Sequence, residues 1–374
     1  MKKALIAAAV AGAFAAPSAM AADLSTHVYW STGVAFGNTT TTTTTAGVDS
    51  TVDANEVQDA GGNRLMFTWT DTLDNGIGVT AYLSFGNLNT AGADPRFGAN
   101  GVNIRNSNIG FSGDFGTVQV GTNEHFMETD LLFDPSFGDF GRTGDAISFI
   151  NVGNTAFNFT RRDGESIWWT SNEMNGLKLR AVYVMGPNND ANSANADADG
   201  TQLGLSYSSG PLMVALSQAN YNDYAVDGGR RAPIAGSEAT MTSFLATYDT
   251  GMVMVKAAMW NIEQTGITDT TQTGVAVTGY EVSGRSIYIG MPVGGGTLWA
   301  QSSSLGDQDG VAAAGTSAID ASDKSGFDIG YHMPMNANVN FFVRYGESET
   351  GVNFDGTAGS TETEEMMLGW QLMY

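Results

Sequence analysis

Alternation with a period of two runs through most of this chain. In residues 77–85, Ile77, Val79, Ala81, Leu83 and Phe85 fall on one face, and Gly78, Thr80, Tyr82 and Ser84 on the other. The same pattern recurs at 177–185, 327–333 and 339–346. Successive side chains of a strand point to opposite faces, so each such segment separates two different solvents. Sixteen segments are predicted as strands: 24–36, 63–72, 77–87, 104–113, 116–122, 165–171, 176–186 and 201–209 in the first half. In the second half they are 212–221, 239–249, 252–262, 281–292, 296–305, 325–334, 338–348 and 363–374.

The connections alternate in length. Seven are tight and carry turn chemistry, among them Asp74-Asn75-Gly76, Glu173-Met174-Asn175 and Val293-Gly294-Gly295. The eight others are long and polar, and one of them holds the run Thr39 to Thr45. Tight turns at one rim and long loops at the other describe a 16-stranded antiparallel transmembrane β-barrel. An even strand count puts both ends of the chain on the short-turn side. The segments 241–248, 252–262 and 281–292 alternate poorly, with Trp260 sharing a face with Lys256. Bulges, a subunit interface or misplaced strand edges would each account for this.

Composition narrows the function. Lys plus Arg number 16 against 39 Asp plus Glu, a net charge of −23, which repels nucleic acid. The absence of Cys excludes disulfides, thiol catalysis and thiolate metal sites. Three His (His27, His125, His332) are thin material for a zinc or triad enzyme, and neither G-x-S-x-G nor H-E-x-x-H occurs. The chain therefore reads as a non-enzyme without cofactor or metal. Asn195 to Gly200 starts like a calcium loop, but Ser206 stands where the twelfth-position Glu is required. Mean hydropathy of −0.11 is too polar for a bundle of membrane helices.

The N-terminus reads as a secretory signal peptide: Lys2-Lys3, an apolar run from Ala4 to Ala16, and an A-x-A pattern ending at Ala21. Cleavage after Ala21 leaves residues 22–374 as one barrel domain, exported through the periplasm. Losing Lys2 and Lys3 makes that domain two charges more negative.

Four stretches carry a resemblance to a known family: Asn63-Arg64-Leu65-Met66-Phe67, the segment from Ile109-Gly110-Phe111 to Val120-Gly121, Asn175-Gly176-Leu177-Lys178-Leu179, and the closing strand Met366, Leu368, Trp370, Leu372, Tyr374. Across the mature chain the sequence resembles the Gram-negative general porins, most closely the proteobacterial kind related to neisserial porins. The resemblance implies a homotrimeric outer-membrane barrel whose third long loop folds inward to narrow a diffusion pore. It further implies contact with outer-membrane lipid and lipopolysaccharide, and a C-terminal signal, here Trp370 and Tyr374, read by the barrel-assembly machinery.

The third long loop lies between Thr122 and Glu165, roughly forty residues, far beyond an ordinary connection. Its Glu124, Glu128, Asp130, Asp134, Asp139 and Asp145 are candidate acids at the waist. It also holds seven Phe, from Phe126 to Phe159, which suits packing against a barrel wall or, alternatively, a small core of its own. Candidate wall cations are Arg64, Arg161, Arg162, Arg180 and Arg344. Arg64 has inward parity, whereas Arg180 falls near a tight turn and is expected at the periplasmic mouth. Arg105 has outward parity unless a bulge intervenes. Related porins often carry Arg where this chain has Thr122, and Arg-Tyr where it has Trp168-Trp169. Fewer wall cations and an acidic chain imply a weak cation preference. The rival readings are a substrate-specific channel for a sugar, phosphate or nucleoside, an enzyme on the same barrel, and a soluble secreted β-protein built on two packed sheets.

Overall fold

The computed structural model describes residues 23–43, 48–58, 63–86, 103–126, 151–152, 157–158, 162–185, 199–227, 230–269, 277–306, 309–312, 324–350 and 359–374. Sixteen strands form its wall. They are β1 (Asp23–Thr43), β2 (Arg64–Thr72), β3 (Gly78–Gly86), β4 (Asn103–Gly113), β5 (Gly116–Glu124) and β6 (Arg162–Thr170). There follow β7 (Leu177–Val184), β8 (Asp199–Ser209), β9 (Leu212–Asp227), β10 (Arg230–Asp249) and β11 (Met254–Asp269). The last five are β12 (Val277–Val293), β13 (Gly296–Leu305), β14 (Lys324–Pro334), β15 (Val339–Thr350) and β16 (Gly359–Met373).

Each strand pairs antiparallel with its neighbours in sequence, and β1 pairs with β16 from Tyr29 opposite Met373 to Thr43 opposite Gly359. The sheet is closed. The strand Val48–Gln58 extends the wall beside the upper part of β1, and Asp309–Ala312 does so beside β12. Asn151–Val152 and Phe157–Asn158 pair with each other. Closure pairs the backbone of every wall strand on both sides, as hydrocarbon demands, because each bare peptide group there costs several kcal/mol. Among the described residues the only other sheet is the pair Asn151–Val152 and Phe157–Asn158, too small to pack as the second layer of a two-sheet β-protein.

Local chemistry places the tight turns. Gly294 and Gly295 both have positive φ (59° and 86°), the geometry whose twist matches a two-residue hairpin. Asn175 and Gly176 repeat it with φ of 54° and 86°, so the β6–β7 turn centres there, one residue beyond the predicted Glu173-Met174-Asn175.

Exposure follows the period of two. Along β12, residues 281–290 alternate strictly between exposed and buried. The outer face carries Leu205, Leu216, Phe244, Ile289, Ile329 and Trp370, all at least 40% exposed. So continuous an exposed apolar band is foreign to a water-soluble monomer and fits lipid. The inner face carries Gln202, Ser217, Ser243, Ser286, Gln301 and Asp328.

Several features differ from the sequence expectation, beginning with Val48–Gln58 and Asp309–Ala312, which the sequence assigns to loops and which are strand. Strands β1 and β9 to β12 run well past their predicted ends, because a hydrogen-bonded ladder continues into water after the lipid-facing alternation stops. Thr39 to Thr43, read as loop, are strand; β-branched side chains suit a ladder. The poorly alternating segments of β10 to β12 contain no bulge: the register is continuous over Glu238–Asp249, Met254–Thr265 and Gly279–Gly290, and shifts only beyond Thr265. Their irregularity comes from large apolar side chains on the inner face: Met241, Leu245, Trp260, Ile262 and Tyr288. Arg105 does sit at a bulge, since the register shifts where Ser84 opposes Asn106 and Phe85 opposes Ile104.

Candidate functional site

The inner wall is the surface that any solute would meet, and among the described residues three clusters on it hold charged groups, with Lys256 apart from them. The first is the closure seam. Arg64 on β2 lies opposite Tyr29 on β1, its guanidinium 5.8 Å from the ring centroid. The Tyr29 hydroxyl accepts a 2.6 Å bond from Gln371 Nε2, and Gln371 Oε1 accepts one from Asn340. This buried chain ties β2, β1, β16 and β15 together and puts Arg64 on the inner side, as its parity indicates.

The second place spans β13 to β16. Arg344, 4% exposed, meets Asp328 at 3.4 Å through Nη1 and Glu365 through Nη2. Asp328, fully buried, also accepts from Gln301 Nε2 at 3.3 Å. Arg344 is thus a clamped cation beside two carboxylates. Asp328 and Glu365 were missed as site residues, although the polar parity of Asp328 between Phe327 and Ile329 is visible in the sequence.

The third place lies where β5 ends. Phe126 packs edge-on against Trp168 of β6, with ring centroids 5.1 Å apart, and its ring sits 4.4 Å from the guanidinium of Arg180 on β7. Its N–H donates to Gln202 Oε1 of β8, whose Nε2 donates to the Tyr221 hydroxyl of β9. His125 lies against Tyr221, with centroids 6.2 Å apart. Trp168, Gln202 and Tyr221 are all buried inner-wall residues, so the chain leaving β5 turns across the inside of the wall. Arg180 stands in this cluster and lies directly across from Gly204, where a Cβ would come within 2.9 Å of its Nε. Its contacts are therefore aromatic and inner-wall, three residues into β7 from the tight turn.

Glu124, half-buried, lies opposite Arg162 in the β5–β6 ladder, which brings one candidate acid and one candidate cation into register. Glu128, Asp130, Asp134, Asp139, Asp145 and Arg161 lie outside the described residues, as does the side chain of Arg162.

Between these clusters the inner wall of β10 to β13 sets large aromatic and aliphatic side chains among Ser243, Ser286, Gln301 and Ser303. Tyr288 and Trp299 stack with centroids 6.4 Å apart, and Lys256 Nζ lies 5.7 Å from the Tyr288 ring. Trp260 faces Gly284, Trp299 faces Gly330, and Phe342 faces Gly369, each directly across a ladder. Each bulky ring occupies the space that its partner's missing side chain leaves.

At the other end of the wall, Trp370 projects outward, 46% exposed, with its ring 5.8 Å from Phe341. Tyr374 exchanges two backbone bonds with Val28, at 2.7 and 3.0 Å, and completes the seam.

Known proteins share this architecture. The chain superimposes on the anion-selective porin from Comamonas acidovorans with a TM-score of 0.68 at 16% identity, covering 94% of this chain and 100% of that one. OmpF of Salmonella typhi, in complex with daunomycin, gives 0.61 at 16% identity, covering 94% and 97%. The trimer form of OmpT, an outer-membrane protein of Vibrio cholerae, gives 0.62 at 15% identity, covering 95% and 100%. No curated protein matches at a significant level. At such identities these likenesses speak for the fold. The family model described as Gram-negative porin matches residues 7–371, so this chain, with its closed wall and two-faced strands, belongs to the Gram-negative porins and is an outer-membrane channel.

Proposed function

We propose that the protein is a water-filled, homotrimeric diffusion channel for ions and small hydrophilic solutes, with a weak preference for cations. One observation carries this reading: the same sixteen strands present an apolar belt outward and a polar, charged face inward. A wall of this size leaves an aqueous passage unless something fills it. The path taken by His125 and Phe126 across the inner wall supports an inward-folded third loop that narrows the passage. The acids Glu124, Glu128, Asp130, Asp134, Asp139 and Asp145 would then face Arg64, Arg161, Arg162, Arg180 and Arg344 across the waist and set a transverse field.

The sign of selectivity follows from charge. The described inner cations Arg64, Arg180, Lys256 and Arg344 are roughly matched by Asp328, Glu365 and Glu124, so the net −23 of the chain tips the balance toward cations. The anion selectivity of the Comamonas protein does not transfer at 16% identity. The trimer form of OmpT supports trimerisation on this architecture. The same reading includes export with the leader removed after Ala21, contact with outer-leaflet lipid and lipopolysaccharide, and delivery to the assembly machinery through Trp370 and Tyr374.

Reconstitution into planar bilayers tests the proposal. Conductance should rise in steps grouped by three, without saturation by any one solute, and the reversal potential in a salt gradient should indicate cations. A reversal potential of anionic sign would overturn the selectivity. The stacked Tyr288 and Trp299 favour a second reading, a sugar-specific channel with an aromatic slide. Saturable block by oligosaccharides would establish it. Their exposures of 1% and 4% argue for the general channel, since a slide must be open to its solute.

A further inference from the structure

Arg285 stands on the wrong side of the wall for a channel residue. Its neighbours in sequence, Gly284 and Ser286, are buried on the inner face, so Arg285 projects outward with Ser283 and Ile287. Below it on the same outer face of β12 run Ile287, Ile289, Met291 and Val293. Eight residues separate Arg285 from Val293 at the strand end, a rise of roughly 20 Å along a tilted strand. The apolar belt of such a barrel is about 25 Å tall, so Arg285 lies at its far edge, at headgroup level.

The surroundings form a groove of about 600 Å³. Phe244 and Met259, 44% and 64% exposed, make an apolar flank. Ser304, directly across the ladder, accepts the Nε–H of Arg285 at 3.0 Å and fixes the guanidinium. Ser283, Asn261 and Thr242 add hydroxyl and amide groups to the lining. Among the described residues no carboxylate lies within ion-pair distance of Arg285. On this outward face Glu349 shares the row of Arg285 three strands away, and Glu281 and Glu263 oppose each other two rows further out. Asn261 donates to Glu281 at 3.2 Å. Their charge bars an anion from the wall above Arg285 and confines it to the belt side.

We propose that this groove binds a phosphorylated glycolipid of the outer leaflet, with the lipid A phosphate on Arg285 and an acyl chain along Phe244 and Met259. A guanidinium held at Nε presents its Nη groups as a planar fork suited to phosphate oxygens. A cation at the boundary of an apolar belt meets headgroups before it meets any soluble anion. The choice of leaflet rests on the outer-membrane channel proposed above and on the sequence expectation that the tight turns face the periplasm.

The test is titration of the purified trimer in detergent with bisphosphorylated lipid A, with dephosphorylated lipid A and with inorganic phosphate, counting bound lipid by native mass spectrometry. Wild type should hold one lipid A per chain, and Arg285→Gln should weaken it at least tenfold. Ser304→Ala should weaken it less, with the charge kept and only its orientation lost. Heat-modifiable migration on gels reports that each variant is folded. Equal binding by Arg285→Gln, or by the dephosphorylated lipid, would overturn the proposal. Displacement by millimolar inorganic phosphate would overturn it as well, by making the groove a free-anion site. Conductance of the wild-type preparation is read separately, so a failed lipid site and a failed channel reading give different results.

Discussion

Trp299 lies directly across the ladder from Gly330, and a methyl group on that glycine would come within 2.5 Å of the indole ring. Trp260 with Gly284 and Phe342 with Gly369 repeat the arrangement on neighbouring strands. The inner wall therefore holds its large rings in notches cut by absent side chains. Gly330→Ala should destabilise the barrel by about 1–3 kcal/mol through overpacking. Gly306→Ala, whose nearest obstacle is 3.6 Å away, should be close to neutral. Urea-unfolding midpoints of the two variants in the same detergent make the comparison.

Arg344 is the cation whose removal should be felt twice. Arg344→Gln strands Asp328, which is fully buried, and should cost on the order of 3 kcal/mol in stability. Adding Asp328→Asn should restore part of that loss in a double-mutant cycle. Glu365→Gln leaves Arg344 with less negative charge beside it, so the reversal potential should move toward anions. An unchanged potential would show that this cluster lies off the solute path.

The outer belt makes a demand of the opposite kind. Leu205 is 40% exposed and about midway between the β8–β9 turn and the far end of β8. Leu205→Arg should cost about 2–4 kcal/mol in a bilayer, the penalty for a cation at the midplane. In detergent micelles, where the headgroup layer adapts, the same variant should lose less. Folding titrations in thin liposomes against micelles would read the difference.

Phe126 anchors the chain where it crosses the inner wall. Truncation to Ala removes its packing on Trp168 and the contact with Arg180, and should cost about 3–5 kcal/mol, as for other buried aromatic truncations. It should also raise single-channel conductance and open-channel noise. Arg180→Gln should be milder, about 0.5–2 kcal/mol, the range of a cation–aromatic contact. Unaltered conductance in Phe126→Ala would count against the inward loop.

The barrel was legible in the sequence because lipid and water impose opposite rules on alternate residues, and each of the sixteen wall strands contains or overlaps a segment read as strand, although β1 and β9 to β12 run past theirs. The same rule misled where its premise failed. Met241, Trp260 and Ile262 face inward, so a reading that expects polar residues there finds broken alternation in β10 and β11. The Thr run hid a strand because Thr carries no hydrophobic signal, although its branched Cβ favours the extended chain. At the site, parity sufficed for Arg64, whose face is set by Leu65 and Phe67. It could not place Arg180, because the partner that holds it, Phe126, comes from another part of the chain. Arg105 needed a bulge that only the ladder with β3 reveals.

Tyr29 and Gln371 share a hydrogen bond across 342 positions of sequence. The strand that carries Tyr29 therefore waits for its partner until the sixteenth strand, 342 positions later, has been made. During that interval two raw sheet margins remain open, each able to recruit a stranger's backbone. Such distant pairing is intrinsically slow. A chain built this way is exposed to pairing with its siblings until the ring can shut.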